Sequence, residues 1–393
     1  MELQVRCQAK MRDTLSTPEE IRVLAVSTVP ELLYRFVAPI AVRLRSMGIS
    51  FCGASASNDD FGWDLSAFDS VHPVRWSRNP RDLSSICLGA RDIRSAVRQS
   101  GCDLVHVHSP IASAVSRASL RDSVPIVYTA HGFHFHDGGE RGKNLIYRSL
   151  ERSVSRWTDH LVVMNQEDYV AAHRHQLCEP SRITKMGGVG IDLSDFPRRT
   201  SLSRTDAKTR VATELGVSPT EFLALMIARI DENKRQTDAI RAVAKLTGDF
   251  KPHLVLVGDG QNEDVQNCQR LAEQLGVTER VHFLGYRTDV AELLTATDAF
   301  LLISDREGLP RSIMESLSVG TTVIGTRIRG TSDLLANGAG LIVSPRSPSD
   351  IAGALQEAVT FAPSGEQVAK VLSDCGIDQV VSDHLQVYRS VLA

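Results

Sequence analysis

The chain alternates, twice over, between short β-branched apolar runs and stretches of helical spacing, and this constrains its fold more than any other feature. In the first half the strand-like runs are "IRVLAVST" (21–28), "SFCGASA" (50–56), "DLVHVHS" (103–109), "PIVYTAHG" (125–132) and "HLVVMN" (160–165). In the second they are "FLALMIAR" (222–229), "HLVLVGDG" (253–260), "VHFLGY" (281–286), "AFLLIS" (299–304) and "TVIGT" (322–326). Helical patterns such as "NLIYRSLERSVSRW" and "QTDAIRAVAKL" lie between them. Strands of this kind are buried on both faces, which implies parallel sheets covered by helices. Two such series predict an α/β protein of two doubly wound domains. "GVGIDLSDFPRRT" (188–200) interrupts both patterns with Gly, Asp and Pro, so the join is expected there. The expected layout is a polar extension over 1–20, domains over 21–195 and 196–372, and a C-terminal helix over 373–393 that can pack back on the first domain.

With 393 residues, 42% apolar and 23% charged, the chain has the length for two cores and an ordinary globular composition. No apolar run is long enough to span a bilayer, and "MELQVRCQAKMRDTLSTPEE" lacks the apolar centre of a secretory signal. Seven scattered cysteines without a C-x-x-C pair argue against a disulfide scaffold or zinc ribbon and fit a reducing cytoplasm. Residues 1–200 carry 25 Lys+Arg against 22 Asp+Glu, a net +3; the remainder carries 19 against 25, a net −6. That balance does not suggest nucleic acid as a partner. The basic excess of the first half suits either a solvated surface or contact with anionic lipid.

Ligands of doubly wound sheets favour the crevice at the carboxyl ends of the strands, so informative residues should follow strands. One such segment is "SDREGLPRSIMESLSVG" (304–320), with Glu307 and Glu315 eight apart. Pro310 suits the first turn of a helix, leaving the amides of Gly308, Leu309 and Arg311 exposed to an anion. A nucleotide sugar matches this layout: hexose and ribose hydroxyls for the two carboxylates, and the diphosphate over the amides between. The same residues also read as an ordinary helix start, with Ser312-x-x-Glu315 as a capping box.

In "ARIDENKRQTDAI" (228–240), Arg229 ends a strand and Lys234 stands at the mouth of a helix. The pair suits a diphosphate without a metal, and equally suits an exposed surface. Gly258 and Gly260 of "VGDG" permit close backbone approach. This is no dinucleotide fingerprint, because the third glycine is missing, and a nicotinamide dehydrogenase is disfavoured. "VHVHSP" puts His106 and His108 on one strand face without a third ligand at zinc spacing, which favours buried, hydrogen-bonded histidines. In "TAHGFHFH", His131 ends a strand and faces the crevice, while His134 and His136 fit either a lining loop or an acceptor contact.

Taken in order, Arg229…Lys234, "VGDG", "VHFLGYRTDV", "SDREGLPRSIMESLSVG" and "TVIGT" resemble the retaining glycosyltransferases of family 4, over roughly residues 22–360. "VYTAHGFHFH" and "TDHLVVMNQEDY" narrow the resemblance to the bacterial subgroup that builds exopolysaccharide and capsule repeat units. The resemblance implies the GT-B fold, two Rossmann-like domains facing across a cleft. It further implies a nucleoside diphosphate sugar as co-substrate, with uridine the commoner nucleotide, and no metal or other cofactor. Glu307 would hold the donor sugar, Glu315 the ribose, Arg229 and Lys234 the phosphates, and His131 would border the reacting carbon. Gly258, Gly260, Gly308 and Leu309 would line the donor site, with Tyr286 and Arg287 beside the base.

A lipid-linked or saccharide acceptor is implied, handled in the cytoplasm at the inner face of the membrane. Leu32, Leu33, Tyr34, Arg35 and Phe36 are compatible with peripheral membrane contact and with an ordinary first helix. The sequence departs from the family in Thr322, where proline is usual, in "GTSDLL" (330–335) and in the glycine-free "STVPELLYRF" (27–36). A nucleotide-sugar epimerase or a silent partner subunit on the same fold are the alternatives. The order of motifs speaks against the first, and retention of Arg229, Lys234 and Glu307 against the second.

Overall fold

The computed structural model describes residues 20–57, 64–77 and 82–393; the expected polar extension lies outside them apart from Glu20. The strands of the first half are β1 (Ile21–Val26), β2 (Ile49–Ser55), β3 (Val71–Pro73), β4 (Leu104–Val107), β5 (Ile126–Ala130), β6 (His160–Val163) and β7 (Ile183–Lys185). They form one sheet in the order β3-β2-β1-β4-β5-β6-β7, every neighbouring pair parallel. The second half supplies β8 (Leu223–Ile227), β9 (His253–Val257), β10 (Val281–Phe283), β11 (Ala299–Leu302), β12 (Thr322–Thr326) and β13 (Leu341–Val343). These pair in parallel in the order β10-β9-β8-β11-β12-β13.

The continuous apolar runs explain the parallel sheets. All seven residues of β2, all five of β9 and all four of β11 are buried, so each strand needs helices on both faces. The chain order reverses between β1 and β4 in one sheet and between β8 and β11 in the other. Each reversal opens a crevice beyond the strand ends, the place where such sheets take ligands. β8 delivers Arg229 to that point, and β11 delivers Glu307.

Two chain passages connect the halves, and they run side by side. Ile191 N–H donates to Cys375 O at 3.1 Å, and Ile377 N–H donates to Ile191 O at 2.9 Å. The helix Gly365–Cys375 buries Val368 and Cys375 in the core of the second sheet. After Gly376 the last helix, Ile377–Leu392, crosses back. Its Val380, Val381, Val387 and Tyr388 join Val23, Ala25, Leu104 and Val127 in the core of the first sheet.

The stretch considered for membrane contact is divided between core and surface: Leu33 is buried, Leu32 and Phe36 are half-buried, and Tyr34 and Arg35 are exposed. A helical turn at Pro30–Leu32 runs into a π-helical turn at Leu33–Val37; Leu33 is fully buried and Phe36 lies 5.5 Å from the His131 ring. Leu33 is the residue of this stretch that the core takes up. No helix among the described residues is long and apolar enough to cross a membrane.

Candidate active site

The loop after β8 and the loop after β11 are tied together by their own backbones. Asp305 N–H donates to Asn233 O at 2.8 Å, and Asn233 Nδ2 donates to Arg306 O at 3.1 Å. Asp231 caps the 3₁₀ turn Glu232–Lys234 by accepting from Lys234 N–H at 3.0 Å. The result places Lys234 Nζ 2.6 Å from Glu307 Oε1, in a largely buried pair. Arg229 is nearby in the chain but exposed, its guanidinium paired with Asp231 at 2.8 Å. Gln236 Nε2 holds the Arg229 carbonyl at 2.9 Å.

The glycines of "VGDG" serve the strand end itself. Gly258 has φ +135°, and a Cβ there would collide with Ala228 O; one at Gly260 would meet Ile230 O at 2.6 Å. Both therefore let the 228–230 backbone, and with it Arg229, lie close against the end of β9. Tyr286 is 61% exposed. Arg287 is engaged by Glu214 at 2.5 Å and Asp289 at 2.6 Å, and both pairings push its pKa up.

The helix after β11 starts one residue later than the sequence suggests. It spans Arg311–Val319, and Pro310, with extended ψ, is the N-cap and not the first helical residue. The alternative reading, a Ser312–Glu315 capping box, does not form, since Pro310 is the N-cap and Ser312 lies inside the helix. Glu315 instead accepts from Arg311 Nε at 2.7 Å, one turn away, and Arg311 also reaches Arg35 O of the first domain at 3.3 Å. Burial pushes the Glu315 carboxyl above its ordinary value, with Arg311 opposing.

His131 meets this segment from across the cleft. A Cβ at Gly308 would collide with the His131 carbonyl oxygen, so only glycine allows the two domains to touch there. Leu309 packs against the cores of both halves. The His131 ring contacts His108 at 3.3 Å, and burial, with His384 adding to it, lowers its pKa to about 4. His106 is hydrogen-bonded to Tyr388 and to Thr129, both at 2.7 Å. Among the described residues no group of three His, Cys, Asp or Glu side chains could hold a metal ion. Beyond the cleft's rim, Phe133 and Phe135 are buried and stacked at 4.9 Å, which leaves His134 exposed.

Three residues important to this geometry carry no sequence signal that singles them out. Arg329, in the loop after β12, is buried and donates to Asp168 at 2.9 Å, Phe133 O at 2.6 Å, Phe135 O at 3.3 Å and Glu307 O at 3.0 Å. Asp168 also accepts from Phe133 N–H at 3.1 Å and from Asn165 Nδ2 at 2.8 Å. Asn165 reaches Gly308 O at 3.4 Å. One guanidinium thus fastens the loop after His131 to the backbone of Glu307.

The comparisons agree with this architecture. Residues 35–185 match the model of Glycosyltransferase Family 4, and residues 208–370 match that of Glycosyl transferases group 1. A Bacillus subtilis (strain 168) protein assigned as a glycosyltransferase and named EpsD is 30% identical over 270 residues, 68% of either chain. An Escherichia coli UDP-Gal:alpha-D-GlcNAc-diphosphoundecaprenol alpha-1,3-galactosyltransferase is 28% identical over 242 residues, 60% of either chain. The crystal structure of Anabaena Alr3699/HepE in complex with UDP superposes with a TM-score of 0.78 at 17% identity, covering 94% of this chain and all of that one. With paired Rossmann-like sheets, the two glutamates at the second switch point and both halves matched, the chain belongs to glycosyltransferase family 4 and is a glycosyltransferase of the GT-B fold.

Proposed function

We propose that the protein moves a hexose-type sugar, with retention of anomeric configuration, from a UDP-sugar to a lipid-linked or saccharide acceptor in the synthesis of a bacterial surface polysaccharide. The observation that carries the reading is the Lys234–Glu307 pair at the second sheet's switch point, beside the start of Arg311–Val319. The galactosyltransferase activity of the Escherichia coli relative and the UDP bound by the Anabaena protein support the choice of nucleotide and of acceptor.

In this reading the C1–O bond to the diphosphate breaks, and its electron pair leaves with the phosphate oxygen. The sugar carbon becomes oxocarbenium-like. Lys234, Arg229 and the amides around Leu309 stabilise the charge that develops on the departing diphosphate. The acceptor hydroxyl forms the new bond on the same face, and its proton passes to the departing phosphate. Glu307 accepts from sugar hydroxyls and Glu315 from the ribose. Arg229 must leave Asp231 for the phosphates. The cations and amides supply the charge that a metal would otherwise supply, so the reaction needs none.

Incubation with UDP-, GDP- and ADP-sugars, with and without a diphosphate-linked lipid acceptor, tests this. UDP should be released from the UDP-sugar, faster with acceptor, and release should persist in EDTA. Glu307→Gln should lower turnover by about 10²-fold or more. Wild-type turnover in that variant, or abolition by EDTA, would count against the assignment.

A further inference from the structure

Helices Arg141–Val154 and Gln166–Arg174 frame two adjoining cavities, of about 500 and 410 Å³, that the donor chemistry does not use. Arg148 and His175 line both; Arg174 lines the larger and Arg152 the smaller. None of the three arginines donates a side-chain hydrogen bond or forms an ion pair among the described residues, whereas Lys234, Arg287, Arg311 and Arg329 are all paired. Their convergence is felt at His175, whose pKa is lowered by burial and by the charges of Arg148, Arg174 and Arg152. Three unpaired cations gathered on two rigid helices repel one another, and an anion with several oxygens relieves that repulsion.

The surroundings of the cluster differ on its two sides. On the outer side Leu145, Ile146 and Leu150 are 55%, 67% and 46% exposed on the same helix. Leu145 lines the smaller cavity beside Arg148 and Arg152. On the inner side the larger cavity presents the carboxylates of Asp137 and Glu167; Gln166 and Asn144 line it too, their amide oxygens accepting from Lys185 Nζ at 2.9 Å and His136 N–H at 3.3 Å. Glu167 accepts from Asp137 N–H at 2.8 Å, and burial raises its pKa. Carboxylates there disfavour phosphate but suit sugar hydroxyls, so an anion belongs at the outer end. The loop from His131 to His136 joins this inner wall to the cleft, a distance of at most ~18 Å even if fully extended.

Read outward from His131, the order is hydroxyl acceptors, cations, apolar side chains. We propose that this groove binds the acceptor, a saccharide joined through a diphosphate to a long apolar chain: the diphosphate on Arg148, Arg152 and Arg174, the chain along Leu145, Ile146 and Leu150, and the saccharide directed along the 131–136 loop to the cleft. The inference rests on the lipid-linked-acceptor reading above and gives it a place on the protein. It also places membrane contact on the helix Arg141–Val154.

The test uses the full chain saturated with UDP, so that the donor site is occupied, and geranyl diphosphate and inorganic pyrophosphate as probes in separate titrations. Geranyl diphosphate should bind at least tenfold tighter than pyrophosphate. The R148A/R152A/R174A variant should lose at least tenfold of that affinity while its UDP affinity is unchanged. Arg152→Glu alone, at an exposed position, should give the same direction if the triple variant does not fold. Equal binding of the two probes, or a variant that binds geranyl diphosphate as the wild type does, would overturn the proposal. Absence of UDP binding in the wild type would instead tell against the donor reading, and the geranyl diphosphate comparison would then be read on the protein without nucleotide.

Discussion

Gly308 is where the local and global demands on a single residue coincide. It lies three residues before the helix Arg311–Val319, and it is the point at which the second domain touches the His131 carbonyl. A methyl group would meet backbone on the facing side, which cannot swing aside as a flexible side chain can. Gly308→Ala is therefore expected to cost about 1–3 kcal/mol, seen as a lower Tm, together with a loss of turnover larger than the loss of UDP affinity. Unchanged Tm and turnover would mean that the two backbones do not meet in solution. The glutamates and Lys234 were legible in the sequence because each follows a strand that periodicity identifies. What the sequence left open was their partners: Arg229 turns to Asp231, and Glu315 to Arg311. Such pairings depend on side-chain direction at loop ends, which spacing does not record.

Among elements, nine of the ten apolar runs are strands of four to seven residues, readable because burial on both faces leaves a nearly unbroken run. The four edge strands, β3, β7, β10 and β13, are three residues each, with a partner on one side only, and of these the sequence showed only β10, through "VHFLGY". The Arg329–Asp168 pair was illegible for another reason: its members are 161 positions apart, and each has an unremarkable local role in a loop or first helical turn. Their side chains are 4% and 1% exposed, so removing one leaves the other buried without its counter-charge. Arg329→Met should lower stability to urea by about 3 kcal/mol and loosen the 131–136 loop, visible as faster amide exchange there. Asp168→Asn, which preserves shape, should cost less. The double variant should cost less than the sum of the two, since the interaction is lost only once. Strict additivity would show that the two side chains act independently.

At the scale of the whole molecule, a column of imidazoles links the cleft to the helix that closes the fold. His131 contacts His108 at 3.3 Å, the His108 and His106 rings lie 4.0 Å apart, and His106 bonds Tyr388 of the helix Ile377–Leu392, with His384 5.6 Å away. Burial lowers the pKa of all four; for His131 it lowers it to about 4. An unfolded histidine titrates near 6.5, so below that pH the unfolded chain takes up protons that the folded column refuses. Stability is therefore fully present above about pH 6.5 and falls as the pH drops toward the folded pKa, near 4 for His131. Each such histidine contributes up to about 1.4 kcal/mol per pH unit within its window. Tm measured from pH 7.5 to 4.5 should be flat at the upper end and decline steeply below 6.5. His106→Gln, which can still hydrogen-bond but does not titrate, should make the decline shallower even if it lowers Tm at pH 7.5. A slope identical to the wild type would place the acid sensitivity elsewhere. Because the last helix also carries Val380, Val381 and Val387 into the first core, protonation of the column should detach the helix that holds the two halves together. Acid should thus abolish sugar transfer, which needs both domains, before it abolishes nucleotide binding to the second domain alone.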